Sequence, residues 1–341
     1  MNPGTRIKLA GLLLVVPICY APEAAVAQPG PARREIVRAG PATLQVTVSG
    51  KGEPFVFIPS RGRSIDDFDN LSKRLVESGY QVILPQPRGI GGSTGPLEGI
   101  TYHDLASDVA ATIQSLVGRA ATVIGHDFGG RIARTLASDH PRLVKQLVLL
   151  GVAGMVPRSP EVERLTKRFW ETALSREDRL AAIRQTFFAT GNDARVWEEG
   201  WYFDVARAQR ASDARTPLKE WLAGGAAPIL ILEGAEDIIA VPENGKRLAA
   251  EFPDRVTLIE ISKAAHALLP EQPEQVAKAV LALSPTLSSA PRGAAEWSSS
   301  ARSFWSGDRA AVERLLQRSI RTRCVRSFMQ VCRNLTSVRN S

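Results

Sequence analysis

An apolar run, Val123-Ile124, leads directly into Gly125-His126-Asp127-Phe128-Gly129-Gly130-Arg131, and a helical pattern begins at once. A strand, a polar residue framed by glycines and then a helix raise one side chain above the carboxyl edge of a sheet, where it can attack a substrate. The framing glycines suit a turn so tight that a side chain at 125 or 129 would collide across it. The next backbone amide, that of Phe128, is then aimed at the site where an oxyanion would form. An aspartate in this position is a carboxylate nucleophile, which forms an ester with an electrophilic carbon. The competing role for Asp127 is a helix N-cap, which suits aspartate. The paired glycines and the buried strand before them favour the nucleophile.

Gly-His-Asp-Phe-Gly-Gly resembles the turn of the α/β-hydrolase family, in its aspartate-nucleophile branch of epoxide hydrolases and haloalkane or haloacid dehalogenases. The resemblance covers most of residues 40–285 and implies partners for Asp127. Of the four histidines, His126 adjoins the nucleophile, His103 starts a helix and His140 precedes Pro141 at the end of another. His266 lies in Ala264-Ala265-His266-Ala267-Leu268-Leu269-Pro270-Glu271-Gln272-Pro273, similar to the family's histidine loop with Ala265 where Gly is commoner. It would be the base. Gly234-Ala235-Glu236-Asp237 resembles the family's Gly-x-x-Asp loop, which selects Asp237 as the acid that orients the imidazole. Glu236 is the nearest competitor, and Glu233 lies too close to the preceding strand.

Gly91-Gly92-Ser93-Thr94-Gly95 also fits a Gly-x-Ser-x-Gly pattern, but no apolar strand precedes it and Pro96 follows. It resembles instead an Arg-Gly-x-Gly-x-Ser loop of the family, so Ser93 is read as a loop residue. One departure concerns the oxyanion hole. Where the family usually shows His-Gly-x-Pro, this chain has Pro59-Ser60-Arg61-Gly62-Arg63. An amide of Arg61 or Gly62 is expected to join that of Phe128. Arg61 and Arg63 would also make the entrance cationic and suit an anionic or strongly polar substrate; solvated loop arginines are the competing reading. Trp197, Trp201 and Tyr202 are the candidate pocket residues. Epoxide hydrolases of this type use two cap tyrosines, whereas Tyr202 is the only tyrosine between residues 155 and 225. Haloalkane dehalogenases usually place Trp where this chain has Phe128.

The elements that must position these residues follow in alternation. Leu44 to Val48 alternates like a half-exposed strand, while 55–58 and 81–84 are short apolar runs of the buried parallel kind. Helical spacing links them through Phe68, Leu71, Leu75 and Val76. A helix from Tyr102 to Val117, a strand over 121–124, a helix from Phe128 to about Ser138 and a strand over 146–150 continue the rhythm. It stops between about Gly154 and Gly225 in a charged, aromatic, helical stretch. Strands over 228–232 and 256–261 and a helix over 273–283 then resume it. The fold class is therefore α/β, a doubly wound, mostly parallel sheet with an inserted helical cap. The core comprises residues 28–154 and 226–285, and the cap residues 155–225.

Arg6 and Lys8, an apolar run from Leu9 to Val16 and Ala25-Val26-Ala27 read as a signal peptide over 1–27, cleaved before Gln28. Pro17 and Pro22 break that run short of the ~20 residues a spanning helix needs. An exported protein, periplasmic or secreted, is expected. The net charge of +8 belongs to the ends of the chain: residues 286–341 hold ten arginines against three acids, and residues 1–27 two bases against one acid, which leaves the body neutral. That argues against nucleic acid as a partner. The tail after Ser284-Pro285 is expected to be a flexible basic extension making at most weak contact with an anionic membrane surface. Cys324 and Cys332, both in it, would need a break between them to pair.

With no His/Cys cluster and no phosphate-binding glycine loop, neither a metal nor an organic cofactor is expected. The composite expectation is an Asp127 ester, hydrolysed by water activated on His266, with a small-molecule substrate. An ester or lactone hydrolase of the same fold and a catalytically silent binding protein are the alternatives.

Overall fold

The computed structural model describes residues 31–171 and 173–283. The expected signal peptide, the basic tail and Cys324 and Cys332 lie outside the described residues.

The apolar runs become the centre of an eight-stranded sheet: β1 (Arg33–Ala39), β2 (Ala42–Gly50), β3 (Pro54–Ile58), β4 (Gln81–Pro85), β5 (Ala121–His126), β6 (Val144–Leu150), β7 (Ile229–Gly234) and β8 (Val256–Ile261). Their spatial order is β1-β2-β4-β3-β5-β6-β7-β8. The pairings β1/β2 and β2/β4 are antiparallel, and all from β4 onward are parallel. Neighbouring side chains of the central strands enter opposite cores. Val123, Leu147, Leu149 and Ile231 join Val109, Ile113, Ile132 and Leu136 on one face. Ile124, Val148, Leu150 and Leu232 join Leu71, Leu75, Val276 and Val280 on the other. With both faces covered, the strands read as continuous apolar runs, which is why they were visible in the sequence.

The first face is packed by α2 (Tyr102–Leu116) and α3 (Phe128–Asp139), the second by α1 (Asp69–Glu77) and α8 (Pro273–Ala282). A capping box at Thr101, whose hydroxyl accepts the Asp104 N–H while the Asp104 carboxylate accepts the Thr101 N–H, fixes where α2 starts. β1 was not anticipated. As an edge strand it buries only Val37 and Ala39, leaves Ile36 exposed and carries four charged residues, so no apolar run marks it.

Between β6 and β7 lie α4 (Pro160–Phe169), α5 (Arg176–Phe187), α6 (Phe203–Asp213) and α7 (Leu218–Trp221), over the stretch where a helical insertion was expected. Ser159 and Ser175 cap α4 and α5 through their hydroxyls. Phe169, Ile183, Phe187 and Trp197 form a third apolar cluster that includes Ile239 and Ala267. This insertion therefore rests on the loops that follow β7 and β8. The strand order reverses between β3 and β5, so the loops after these two neighbours diverge and open a crevice at their carboxyl ends.

Candidate active site

Asp127 sits at that crevice with φ 44° and ψ −104°, a conformation that L-residues adopt at a cost of about 1–3 kcal/mol. The turn is as tight as the glycines implied. A Cβ on Gly125 would lie 2.4 Å from the Gly129 carbonyl oxygen, and one on Gly129 would lie 2.0 Å from that of Ile58. The Asp127 side chain makes no capping hydrogen bond to α3, so the N-cap role is not the one it plays.

Its carboxylate faces a cavity of about 270 Å³ whose walls include Ser60, Arg61, Arg131, Trp197, Trp201 and His266. The Ser60 hydroxyl donates to Asp127 Oδ2 at 3.3 Å, while Oδ1 is buried without a partner among the described residues. Burial acts to raise the Asp127 pKa, but the charges of His266, Arg131, Arg61 and Arg158 outweigh it and hold the carboxyl below its ordinary range. Asp127 is therefore ionised at neutral pH.

The three side chains nominated from the sequence converge. His266 Nδ1 lies 2.9 Å from Asp237 Oδ2, and His266 Nε2 lies 3.9 Å from Asp127 Oδ2, beyond a hydrogen bond. The other Asp237 oxygen accepts from the amides of Ile239 and Ala240 at 2.7 and 2.9 Å, so this buried carboxylate is fixed by its own loop. Burial lowers the His266 pKa, yet the Asp237 charge and hydrogen bond, with the Asp127 charge, raise it above its ordinary value. Glu236 is exposed, and Glu233 is buried on β7. The His266 loop is anchored by Glu271, whose carboxylate accepts from the amides of Ala265 and Ala189, both at 2.7 Å. His126 packs beside His266, with ring centroids 5.2 Å apart, and its Nε2 lies 2.9 Å from the His266 carbonyl oxygen. Burial above all lowers its pKa to about 4 and keeps it neutral, with Nε2–H as donor.

The oxyanion donors need a correction. The Gly62 amide donates to Gln209 Oε1 at 2.8 Å, so that N–H is taken by α6. Phe128 is the first residue of α3, where amides have no intrahelical partner, and Arg61 stands in the loop after β3. Two further expectations shift. Tyr202 does not line the cavity; its amide instead donates to the Gly62 carbonyl at 2.9 Å. Arg63 is buried against Asp67 and the rings of Trp197 and Trp201, so its charge is not at the entrance. Ser93 is a loop anchor, donating to the Gln86 carbonyl and accepting from the Gln45 amide. His103 pairs with Asp139 and Glu220.

Sequence reading missed Ser60, Arg131 and Arg158 as site residues. Arg131 had a signal: it stands four residues after Asp127, one turn along the helix on the same face. Ser60 and Arg158 had none, since each arrives from a separate loop. An ionised carboxylate on a strained turn can act as a nucleophile, and the imidazole beside it, oriented by a second carboxylate, can act as a base in the step that follows.

Residues 53–197 match the alpha/beta hydrolase fold family. The chain is 33% identical to a soluble epoxide hydrolase of Corynebacterium sp. over 114 residues, 33% of this chain and 40% of the relative. It is 27% identical to a fluoroacetate dehalogenase of Burkholderia sp. over 143 residues, 40% of this chain and 47% of the relative. Its fold is similar to that of an esterase from Exiguobacterium antarcticum, with a TM-score of 0.64 and 21% identity over 73% of this chain and 98% of the esterase. With its sheet order, its strained turn after β5 and these matches, the chain has the α/β-hydrolase fold and is similar to enzymes built on it.

Proposed function

We propose that the chain hydrolyses a small electrophilic organic molecule in two steps, through an ester on Asp127. The observation that carries this reading is the ionised Asp127 carboxylate, lifted into the cavity with His266 Nε2 3.9 Å away and His266 Nδ1 on Asp237. In the first step an Asp127 oxygen attacks a saturated carbon; the new C–O bond forms as the leaving group departs with its electron pair. In the second, neutral His266 takes a proton from water as the water oxygen attacks the ester carbonyl. The amides of Phe128 and Arg61 hold the resulting oxyanion. Collapse expels the product alkoxide, which recovers a proton from His266, and the Asp127 carboxyl group releases the water's second proton to solvent and returns as a carboxylate. Asp237 keeps the imidazole in the required tautomer and stabilises its charged form.

The cavity favours a carbon–halogen bond over an epoxide. A halide leaves without a proton, whereas an opening oxirane needs a donor for its alkoxide, and among the described residues no tyrosine lines the cavity. The similarity to a fluoroacetate dehalogenase agrees with this choice. We place the activity outside the cytoplasm on the strength of the leader pattern over residues 1–27.

The test is to trap the ester. His266→Gln, exposed to a panel of haloacids, haloalkanes and epoxides, should gain the mass of the substrate fragment on the peptide that carries Asp127, and then stall. Asp127→Asn should gain none. Turnover of a true substrate by Asp127→Ala at close to the wild-type rate would overturn the proposal.

A further inference from the structure

The loop after β3 leaves the sheet at Ile58, which pairs with Gly125, and meets the core again at Ile65, whose amide donates to Gln86 Oε1 at 3.1 Å. Between those points the Ser60 hydroxyl touches Asp127, and the next three residues are all held by the insertion. The Gly62 amide donates to Gln209 Oε1 on α6 at 2.8 Å, and the Gly62 carbonyl accepts from the Tyr202 amide at 2.9 Å. Arg61 gives Nη2 to both oxygens of Asp213, at 3.0 and 2.9 Å, and Arg63 gives Nη1 to the Glu199 carbonyl at 2.7 Å.

Gly62 lets α6 approach the loop backbone itself. Its φ of 64° lies in the left-handed region, and a Cβ there would stand 2.7 Å from the Ala206 Cβ and 3.3 Å from the Tyr202 carbonyl oxygen. Gln209 is 3% exposed and commits its side-chain oxygen to this one backbone amide. A buried N–H that loses such an acceptor is left unsatisfied, so the loop would move to find another. The Arg63 amide closes the loop's own turn on the Ser60 carbonyl at 3.1 Å. With the Arg63 and Gly62 amides so used, the Arg61 amide is left to serve an oxyanion. Its peptide plane joins the clamped Arg61–Gly62 peptide at a single Cα, so the hold on Gly62 sets where the Arg61 N–H points.

We infer that Gln209 is a positioning residue, which sets the Arg61 amide for the oxyanion of the second step and ties ester hydrolysis to the seating of the insertion on this loop. The inference rests on the ester mechanism proposed above, and it separates the two steps. Attack of Asp127 on a saturated carbon places no new negative charge on the Asp127 carboxyl group, so it makes no demand on the Arg61 amide. Attack of water on the ester carbonyl does place one there, and a misplaced donor then becomes costly. Loss of one such donor slows a step by about 10²–10³-fold, and a misplacement of about 1 Å by about 10²-fold.

The test follows the two steps separately in the full chain, with bromoacetate as the probe. Mass spectrometry of quenched samples reads ester formation on the peptide that carries Asp127 and, once bromoacetate is removed, the decay of that ester. Gln209→Leu, which removes the acceptor, should slow decay at least about 10-fold while leaving alkylation within about threefold of wild type. The ester should therefore accumulate although His266 is intact. Gln209→Glu, which keeps an acceptor oxygen, should restore decay to within about threefold of wild type. Hydrogen exchange at the Gly62 amide should quicken in Gln209→Leu and not in Gln209→Glu. Should Gln209→Leu fail to unfold cooperatively, Gln209→Asn, which withdraws the acceptor by one methylene, carries the same comparison. Equal slowing of alkylation and decay, or unchanged decay beside faster exchange, overturns the positioning role. Absence of any Asp127 adduct in His266→Gln overturns the ester mechanism instead. The hold of Gln209 on the loop then stands on exchange alone, and unchanged exchange at Gly62 in Gln209→Leu overturns it.

Discussion

Two adjacent glycines of α3 should respond to the same substitution in opposite ways. A Cβ on Gly129 would stand 2.0 Å from the Ile58 carbonyl oxygen, 2.6 Å from its carbon and 2.7 Å from the Pro59 oxygen. All three are backbone atoms of the end of β3 and its loop, so no rotamer change relieves them. Relief needs a shift of about 1.5 Å between α3 and β3, since comfortable contacts lie near 3.5 Å. Overpacking that a side chain can absorb costs about 1–3 kcal/mol. With backbone on both sides, Gly129→Ala should cost on the order of 3 kcal/mol or more. For a domain of this size that lowers the melting temperature by about 10 °C. The shift also displaces Ser60 and Arg61, so ester formation should fall with stability. A Cβ on Gly130 meets nothing nearer than 3.5 Å, an ordinary contact. Gly130→Ala should therefore be neutral, or gain roughly 0.5–1 kcal/mol from helix propensity. Thermal unfolding followed by circular dichroism, with adduct formation measured on the same samples, compares the two. A Gly129→Ala protein melting within about 2 °C of wild type would refute the packing argument.

Turnover should rise with pH as His266 loses its proton, at a pH above the ordinary imidazole value, because Asp237 and Asp127 outweigh the effect of burial. Asp237→Asn should move that limb to lower pH and slow turnover by on the order of 10³-fold or more; a pH–rate profile whose limb stays in place would count against the assigned role of Asp237. Glu233 is buried with Oε1 accepting from the Val152 amide at 3.0 Å and Oε2 without a partner among the described residues; burial first, then the Asp237 charge, raises its pKa well above the ordinary value. The folded state then holds this proton more tightly than the unfolded state, so stability declines as pH climbs from the ordinary glutamate value toward the folded one. Glu233→Gln, which mimics the protonated form, should flatten that decline between pH 5 and 8; an unchanged slope in melting temperature against pH would show that Glu233 is not its source.

Asp127, His266 and Asp237, which the structure brings together, could be nominated from the sequence because each stands in a short local motif that resembles one of the family's loops. Asp127 lies where an apolar strand meets two glycines and a helix, and these alone force the side chain outward. Asp237 and His266 follow apolar strands at spacings that the chain order preserves. β3 through β8 were visible for the same reason, since burial on both faces writes a continuous apolar run. What the sequence did not determine is which groups from distant segments meet at the crevice. Gln209 takes the Gly62 amide from 147 residues away, and Ser60 reaches Asp127 across 67. Arg61, Arg131, Arg158 and Asp213 meet because the strand order reverses between β3 and β5 and the insertion folds back over that point. Whether an arginine is a solvated surface charge or a buried donor depends on what is packed over it. Arg61 and Arg63 stand two residues apart in one loop, yet one faces the cavity and the other is clamped by Asp67 and two tryptophans. Side-chain type and local motif nominated Asp127, His266 and Asp237; only tertiary packing decided which charges surround them, because burial and long-range pairing leave no periodic trace in the chain.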